Sequence, residues 1–179
     1  MTIYKTEMAG GYVWVVCKDP RDWDVFLALD GSPQGESWKR PMVKLGPADA
    51  QAEGRRAHFP WLGSQALVMR NEAIVALREI LEANGELLPL QTNNGSVLFA
   101  FNARKIDALD EEASDLERFP SSGRIMEIRR HAFTESAIGD LDIFRLPSRG
   151  SATYVNERFV RRVKEAGLEG LNFEQVWSS

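Results

Sequence analysis

Apolar and polar positions in the first fifty residues alternate over short distances and predict small elements. Residues 12–17 form an apolar run typical of a buried strand. Residues 25–29 fit a second strand or a helical turn, and residues 38–45 fit a third strand, which Pro41 would place at the edge of a sheet. Residues 46–56 are polar and rich in glycine and alanine, which predicts a loop or a frayed helix.

A helical pattern follows at residues 72–83. Apolar side chains recur there at positions i, i+3 and i+7 from Ile74, so they share one face of a helix. Asn71 is placed to cap the amino end through its side-chain oxygen. Gly85 follows the last turn and is expected to end the helix in the left-handed conformation.

The middle of the chain predicts a hairpin and then a further helix. Residues 86–91 and 96–101 flank Asn94–Gly95, a dipeptide that favours a type I′ turn. Because residues 97–101 are all apolar, their strand should be covered on both faces. Residues 104–116 fit a helix with one apolar side.

The last third of the chain alternates between strands and helices. Residues 124–130 and 142–146 predict strands, and residues 134–138 predict a short helix before a glycine. Asn156 is placed to cap a final helix, whose apolar stripe is formed by three side chains. That stripe comprises Phe159, Val160 and Val163. Gly167 ends this helix, and residues 171–177 form a closing strand.

This irregular mixture predicts an α+β fold, with a mixed, mainly antiparallel sheet and two or three helices packed on it. A chain of 179 residues with 44% hydrophobic and 27% charged residues suits one soluble globular domain. No repeat or linker divides it. We therefore expect residues 1–179 to form a single domain.

Composition narrows the cellular setting. One cysteine excludes an intrachain disulfide and favours a reducing compartment. No apolar run approaches the roughly 20 residues needed to cross a bilayer, and the amino terminus lacks the apolar region of a signal peptide. A cytoplasmic protein without membrane contact is the resulting expectation.

The net charge of −4 arises from one stretch, the acidic segment of residues 107–117. Its six acids are uninterrupted by any basic residue, whereas the other 20 acids are outnumbered by the 22 basic residues. The six are Asp107, Asp110, Glu111, Glu112, Asp115 and Glu117. Because no basic stripe dominates the chain, direct binding to nucleic acid is not expected.

The acidic segment also supplies the candidate partner-binding residues, which are Asp107, Asp110, Glu111 and Asp115. On the predicted helix, Asp107, Glu111 and Asp115 would share one face at positions i, i+4 and i+8. One interpretation is a solvated face that serves solubility. The other is a docking face for a basic partner, which would speed association.

Candidate chemistry is sparse. A Cys–His hydrolase would need Cys17 as its nucleophile and His58 or His131 as its base. Cys17 follows two valines, the setting of a small buried hydrophobe, and His131 follows two arginines, which is typical of a solvated strand edge. Metal-ligand spacing, phosphate loops and nucleophile elbows are missing, so we predict no catalytic, metal-binding or cofactor-binding residue and no cofactor.

Two smaller groups of residues add little chemistry. Three aspartates lie close together at Asp19, Asp22 and Asp24, but without the spacing of a calcium loop they predict a solvated turn. The five tryptophans are expected mostly in the core, with one or two available as interface anchors.

A series of phrases, in fixed order and spacing, resembles bacterial immunity proteins of polymorphic toxin systems, a family long carried as a domain of unknown function. The similarity runs over about residues 59–177, and residues 1–58 match less clearly. The phrases include residues 85–90, 101–110, 123–126, 142–147 and 154–177. The resemblance implies one immunity-protein-like domain, in which residues 1–58 are a candidate variable lobe where recognition differs.

The resemblance also implies a function. Such proteins protect the producing cell by binding a toxin, and no family catalytic residue exists to carry over. The leading hypothesis is a non-enzymatic immunity protein, whose acidic segment could mimic nucleic acid in a toxin's basic cleft. The alternatives are a hydrolase using Cys17 with a histidine, and a small-ligand-binding or homo-oligomeric scaffold.

Overall fold

The computed structural model describes residues 1–46 and 54–179. The predicted loop or frayed helix over residues 46–56 therefore lies mostly outside the described residues. Within them, the chain forms strands and short helices in mainly antiparallel sheets, which confirms the predicted α+β class.

The described residues contain twelve strands and five α-helices. The strands are β1 (Thr2–Met8), β2 (Trp14–Cys17), β3 (Met42–Gly46), β4 (Leu67–Met69), β5 (Gly85–Pro89), β6 (Gln91–Thr92), β7 (Phe99–Ala103), β8 (Asp115–Arg118), β9 (Ile125–Arg130), β10 (Ile143–Arg145), β11 (Thr153–Asn156) and β12 (Leu171–Ser178). The helices are α1 (Trp23–Ala28), α2 (Asn71–Ala76), α3 (Arg78–Asn84), α4 (Glu135–Ile138) and α5 (Glu157–Glu165). Short 3-10 turns lie at Pro20–Asp22 and Gly35–Ser37.

These strands form four sheets. The largest has the order β10-β11-β1-β12, so β1 lies between two strands from the end of the chain. Two three-stranded sheets have the orders β2-β3-β6 and β4-β7-β5, and β8 pairs with β9 as a separate hairpin. The only parallel pairing among these named strands joins β3 to β6.

The final helix forms as the sequence predicts. The Asn156 side chain accepts hydrogen bonds from the backbone N–H groups of Arg158 and Phe159, which satisfies two of the free donors at the helix start. Phe159, Val160 and Val163 are all buried in one cluster with residues of β4, α3 and β7. The stripe therefore attaches α5 to the centre of the molecule.

The predicted helix over residues 72–83 is divided at Leu77. This residue has φ −111° and ψ 12°, and it separates α2 from α3. Asn71 does not cap α2, because it is the first helical residue and Arg70 occupies the cap position without a side-chain bond. Ala73, Leu77 and Leu81, which lie before, at and after the break, are all buried in the same cluster.

Gly85 ends α3 for a reason other than the predicted one. Its φ of 170° is extended rather than left-handed, and it begins β5. A Cβ atom at this position would lie 2.3 Å from the backbone oxygen of Asn102 on the paired strand β7. Close approach of the two strands therefore requires glycine here.

The expected helix over residues 104–116 is wrong. Its backbone donors bond to distant chain segments: Lys105 N–H donates to Asp30 O at 3.2 Å, and Ile106 N–H donates to Arg145 O at 2.8 Å. Like charges at i and i+4 also oppose a helix. The segment instead runs through bridges and a turn into β8.

Several strand predictions are refined by the structure. The Asn94–Gly95 hairpin is confirmed, with β5 antiparallel to β7. Its turn is not the expected type I′, because Gly95 has φ 75° but Asn94 lacks the positive φ that this type also requires. Val97 is 61% exposed, but it lies before β7. β7 itself lies between β4 and β5 and is buried at residues 100–103, so the expected cover on both of its faces is confirmed. The strand after Pro41 is the central strand of its sheet rather than an edge, because β6 pairs with its other side.

The two elements that come before β3 also differ from expectation in part. Residues 25–29 lie mostly in helix α1, one of the two forms that their pattern allowed. The strand expected to be buried, β2, buries only one face. Val15 is buried in the core, whereas Trp14 and Val16 point outward and are 38% and 41% exposed.

Candidate partner-binding surface

The acidic segment lies at the surface, but its carboxylates do not form the expected helical face. Asp107, Glu111 and Asp115 are exposed, whereas Asp110 is half-buried. The Asp110 carboxylate accepts a hydrogen bond from Ala113 N–H at 3.0 Å, inside the turn that leads into β8. Asp110 therefore contributes to local structure as well as to surface charge.

Two arginines of the β8–β9 hairpin, Arg118 in β8 and Arg129 in β9, neutralise part of this charge. Glu111 pairs with Arg118 at 2.5 Å, and Glu117 pairs with Arg129. The sequence did not indicate these pairs, because the first depends on the turn that leads into β8 and the second on the pairing of β8 with β9. Within the described ranges, Asp107, Glu112 and Asp115 form no ion pair. Glu112, which was not among the predicted partner-binding residues, is therefore an unpaired surface charge like Asp107 and Asp115.

The β8–β9 hairpin exposes apolar side chains beside these charges. Phe119 and Met126 are 42% and 46% exposed. Apolar anchors surrounded by charged groups are typical of protein interfaces. The sequence analysis did not single out either residue, since exposed apolar positions in a hairpin have no distinctive spacing.

A cavity of about 660 Å³ opens between this hairpin and the loop after β10. Leu27, Phe119 and Ile125 contribute apolar walls, while Asp107 and Arg149 contribute charge. The volume lies within the range of sites that take a small ligand or a large side chain. The cavity therefore extends the surface of the acidic segment into a concave site.

A second concave surface is built from tryptophans. The tryptophan groove, of about 580 Å³, is lined by Trp14, Trp23 and Trp61 together with Val16 and Cys17. Trp14 and Trp23 are each 38% exposed and Trp61 is half-buried. The expectation that most tryptophans serve the core is wrong for these three.

The remaining two tryptophans do pack against core clusters, although both are only half-buried. Trp38 packs edge-on to Phe26 and donates its indole N–H to Pro89 O at 2.7 Å. Trp177 packs edge-on to Phe133, with ring centroids 5.8 Å apart.

Cys17 has the environment of a structural thiol. It is half-buried, and burial together with the charge of Asp22 raises its pKa. An activated nucleophile needs the opposite direction, because the thiolate is the reactive form. The environment of Cys17 therefore does not favour a hydrolase.

The two histidines form contacts elsewhere. His58 Nδ1 accepts a hydrogen bond from Glu169 N–H at 3.0 Å. His131 Nε2 lies 3.0 Å from the Tyr154 hydroxyl oxygen, and its ring stacks on Phe133. The expected solvated strand edge at His131 is wrong, since the side chain is half-buried and burial lowers its pKa to about 4.

Two further searches of the described residues were negative. In residues 1–46 and 54–179, no group of three or more His, Cys, Asp or Glu side chains is arranged to hold a metal ion. No helix in this part of the chain is long and apolar enough to cross a membrane.

Comparison with known proteins gives one match. Residues 98–178 match the model of an immunity protein family, Imm11. No curated protein matches the chain. The match begins just before β7 and ends with β12, so it includes the acidic segment, the β8–β9 hairpin and most of the cavity wall. The resemblance predicted from the sequence is confirmed there, while residues 59–97 lie outside the match. Over somewhat less than half of its length, this chain therefore has the sequence pattern of the Imm11 immunity protein family.

Proposed function

We propose that this protein is a non-enzymatic immunity protein that binds a cognate bacterial toxin and blocks its action in the cytoplasm of the producing cell. The observation that carries the proposal is the Imm11 match over residues 98–178. The matched region contains the exposed charges, the apolar anchors and most of the cavity wall described above. Binding alone would suffice for protection, because a blocked toxin cannot reach its substrate.

The contact surface is proposed to centre on the acidic segment and the adjoining hairpin. The free carboxylates of Asp107, Glu112 and Asp115 would attract a toxin surface rich in lysine or arginine and speed association. Phe119 and Met126 would then be desolvated against the toxin and slow dissociation. A toxin side chain would enter the cavity between the hairpin and the loop after β10.

The direct test uses the protein encoded by the adjacent reading frame, from which we take the C-terminal domain as the candidate toxin. The wild-type chain is expected to bind this domain in an isothermal titration. It is also expected to restore growth of cells that express the domain. Absence of both effects would refute the proposal.

A charge-reversal variant locates the surface. Changing Asp107, Glu112 and Asp115 to lysine is expected to reduce the association rate by about tenfold or more at low salt, because the attraction becomes repulsion. A matched control changes Glu36, Glu79 and Asp140, which are exposed residues elsewhere, to lysine. Equal association rates for the two triple variants would place the interface away from the acidic segment.

Self-association is the alternative with a distinct signature. A homo-oligomeric scaffold would sediment at a multiple of 20.1 kDa without any toxin. We propose that the toxin is the principal partner, so toxin binding is expected whatever mass the free protein has.

A further inference from the structure

The tryptophan groove lies outside the region matched to the immunity family. Its lining residues fall between positions 14 and 63, whereas the match begins at residue 98. Trp14, Val16 and Trp23 are among the most exposed large apolar side chains of the described chain, at 38%, 41% and 38%. A contiguous exposed apolar surface often marks an interaction site, whereas single exposed apolar side chains are common on any protein.

Strand β2 offers a free backbone edge beside the groove. Lys18 N–H donates to Met42 O at 2.9 Å, so alternation along an antiparallel pair turns the backbone N–H and C=O of Cys17 away from β3. On that same side, Val15 N–H donates to Trp61 O at 2.7 Å. Cys17 N–H has no such acceptor among the residues that the structure describes. The edge is thus occupied at Val15 and open at Cys17.

A buried donor lies behind the groove wall. Gln65 is 3% exposed, and its Nε2 atom has no hydrogen-bond partner within the described residues. Its amide borders Gly63, where an added Cβ would lie 2.5 Å from Gln65 Oε1 and 2.7 Å from the Trp23 ring. A buried amide donor without a partner is costly. Gln65 is not among the residues that line the groove, so this cost belongs to the packing of the wall.

Charges around the groove balance: two ion pairs flank it, and Lys18 and Asp22, which form no ion pair with the described residues, carry opposite charges. Arg21 pairs with Asp19 at 2.6 Å, and Arg149 pairs with Asp24 at 2.5 Å. The rim therefore complements an uncharged segment, in contrast to the acidic segment, which complements a basic one. The groove and the acidic segment would therefore bind toxin surfaces that differ in charge.

Helix α1 connects the groove to the proposed interface. Trp23 lines the groove and Leu27 lines the cavity next to the hairpin. These residues are four apart on one helix face, which places them about 6 Å apart along the helix axis. The ion pair of Asp24 with Arg149, another cavity residue, lies across the same helix. The two concave surfaces are therefore neighbours.

We propose that the tryptophan groove binds an extended, uncharged apolar segment of the same toxin, an inference that rests on the proposed function. The segment adds to the free edge of β2 at Cys17 and inserts a large apolar side chain among the three indoles. Backbone pairing supplies affinity and the indole pocket supplies specificity, as in other strand-addition complexes.

The first test measures binding of the adjacent-frame toxin domain to groove variants of the full chain. The double variant Trp14→Ser and Trp23→Ser is expected to raise Kd by roughly tenfold or more, mainly through faster dissociation. Its salt dependence should remain that of the wild type, because no charge is removed. The matched control is Val75→Ser with Val97→Ser, two exposed apolar residues outside the groove.

The outcomes separate the two proposals. If the wild type fails to bind the domain, the proposed function falls. If the wild type binds and the groove double variant binds equally well, the function stands and the groove inference is overturned. Loss of binding in the valine control as well would also overturn it, because the effect would then not be specific to the groove.

The second test is independent of the toxin's identity. The intact, ¹⁵N-labelled protein is titrated with the blocked peptide acetyl-Ser-Leu-Phe-Ser-amide, and the indole N–H signals are followed by NMR. We expect the signals of Trp14, Trp23 and Trp61 to move, while those of Trp38 and Trp177 stay in place. Blocked trilysine should leave all five unchanged. Equal shifts of all five indoles, or none with the apolar peptide, would overturn the inference.

Discussion

Asp142 shows how one side chain joins three parts of the fold. Its carboxylate is 3% exposed, accepts from Asn156 Nδ2 at 2.8 Å and from Arg158 Nη1 at 2.9 Å, and so holds the start of α5. Its backbone N–H donates to Asn84 Oδ1 at 2.8 Å, at the end of α3. The sequence placed Asp142 at the start of a strand and carried no indication of this network.

Replacing Asp142 with alanine is expected to lower the free energy of unfolding by about 2 kcal/mol, because a buried charged acceptor and its two donors lose their bonds. The value is moderate since Arg158 is half-exposed and water can replace its partner. Urea denaturation measures the change. Asp140→Ala, at an exposed neighbour, should stay within about 0.5 kcal/mol of the wild type.

His131 gives the molecule a pH-dependent stability. Burial, and to a smaller extent the charge of Lys5, lowers its pKa to about 4, while Glu174 opposes the shift. The unfolded chain, with a histidine pKa near 6.5, therefore binds more protons than the folded one between these values. This contribution to stability is complete above about pH 6.5 and decreases as the pH falls toward 4.

The His131→Gln variant should lose that part of the pH dependence. Between pH 6.5 and pH 4 its Tm is expected to fall less than the wild-type Tm, as measured by calorimetry. His58→Gln serves as the control, since His58 lies in a different loop and bonds to Glu169. Parallel curves for His131→Gln and the wild type would contradict the assignment.

At the scale of elements, helix ends and strand pairs depend on contacts that the local sequence does not reveal. The cap at Asn156 is a local interaction within three residues, and the sequence predicted it correctly. Gly85 was also expected at a helix end, but the contact that requires glycine comes from Asn102, on another strand. Local patterns identified where the helix ends, but not the contact between strands that requires glycine at position 85.

Gly85→Ala is accordingly expected to destabilise the protein by roughly 2 kcal/mol, because β5 and β7 must separate around the added methyl group. Gly85→Asn should be at least as harmful, whereas a left-handed cap would tolerate asparagine. Gly10→Ala, where the added Cβ meets no atom within 4 Å, is the matched control. Thermal denaturation of the three variants distinguishes the two roles.

At the acidic segment, the local pattern predicted a helix that the structure does not contain. The spacing of apolar and acidic residues over positions 104–116 fits a helix, yet backbone N–H groups there bond to other parts of the chain. Lys105 donates to Asp30, Ile106 to Arg145 and Asp110 to Ala132. Tertiary hydrogen bonds therefore outweigh a weak local preference that like charges had already reduced. The candidate residues stayed at the surface, but hairpin arginines decided which carboxylates remain free.

At the scale of the whole molecule, β1 connects the two ends of the chain in space. It pairs with β11 on one side and with β12 on the other, so the largest sheet depends on residues 2–8. Ile3 and Thr6 are buried within it. We propose on this basis that residues 1–179 fold as one cooperative unit.

Deleting residues 1–9 is therefore expected to abolish cooperative unfolding, because β12 loses its only strand partner in the four-stranded sheet. Circular dichroism during heating measures this. Alanine at the exposed positions Glu7 and Met8 keeps β1 in place and should preserve a sharp transition. A truncated chain that still melts cooperatively would assign residues 1–9 to a dispensable lobe.

Short-range order in this protein follows from local sequence. The stripe and cap of α5, the Asn–Gly hairpin and the α+β class could all be predicted, because helix periodicity, capping and turn preferences act over a few residues. The order of phrases in the last part of the chain was sufficient to indicate an immunity protein, which the match over residues 98–178 supports.

Surfaces and cavities depend on long-range contacts, which no local pattern records. Packing separated three tryptophans from the core and lined a groove with them, and ion pairs with Arg118 and Arg129 neutralised two of the six acids in the acidic segment. Both effects bring together residues far apart in the chain. Their energies depend on distances that exist only after folding. For that reason the tertiary structure alone determined which carboxylates stay unpaired and which apolar side chains line a concave surface.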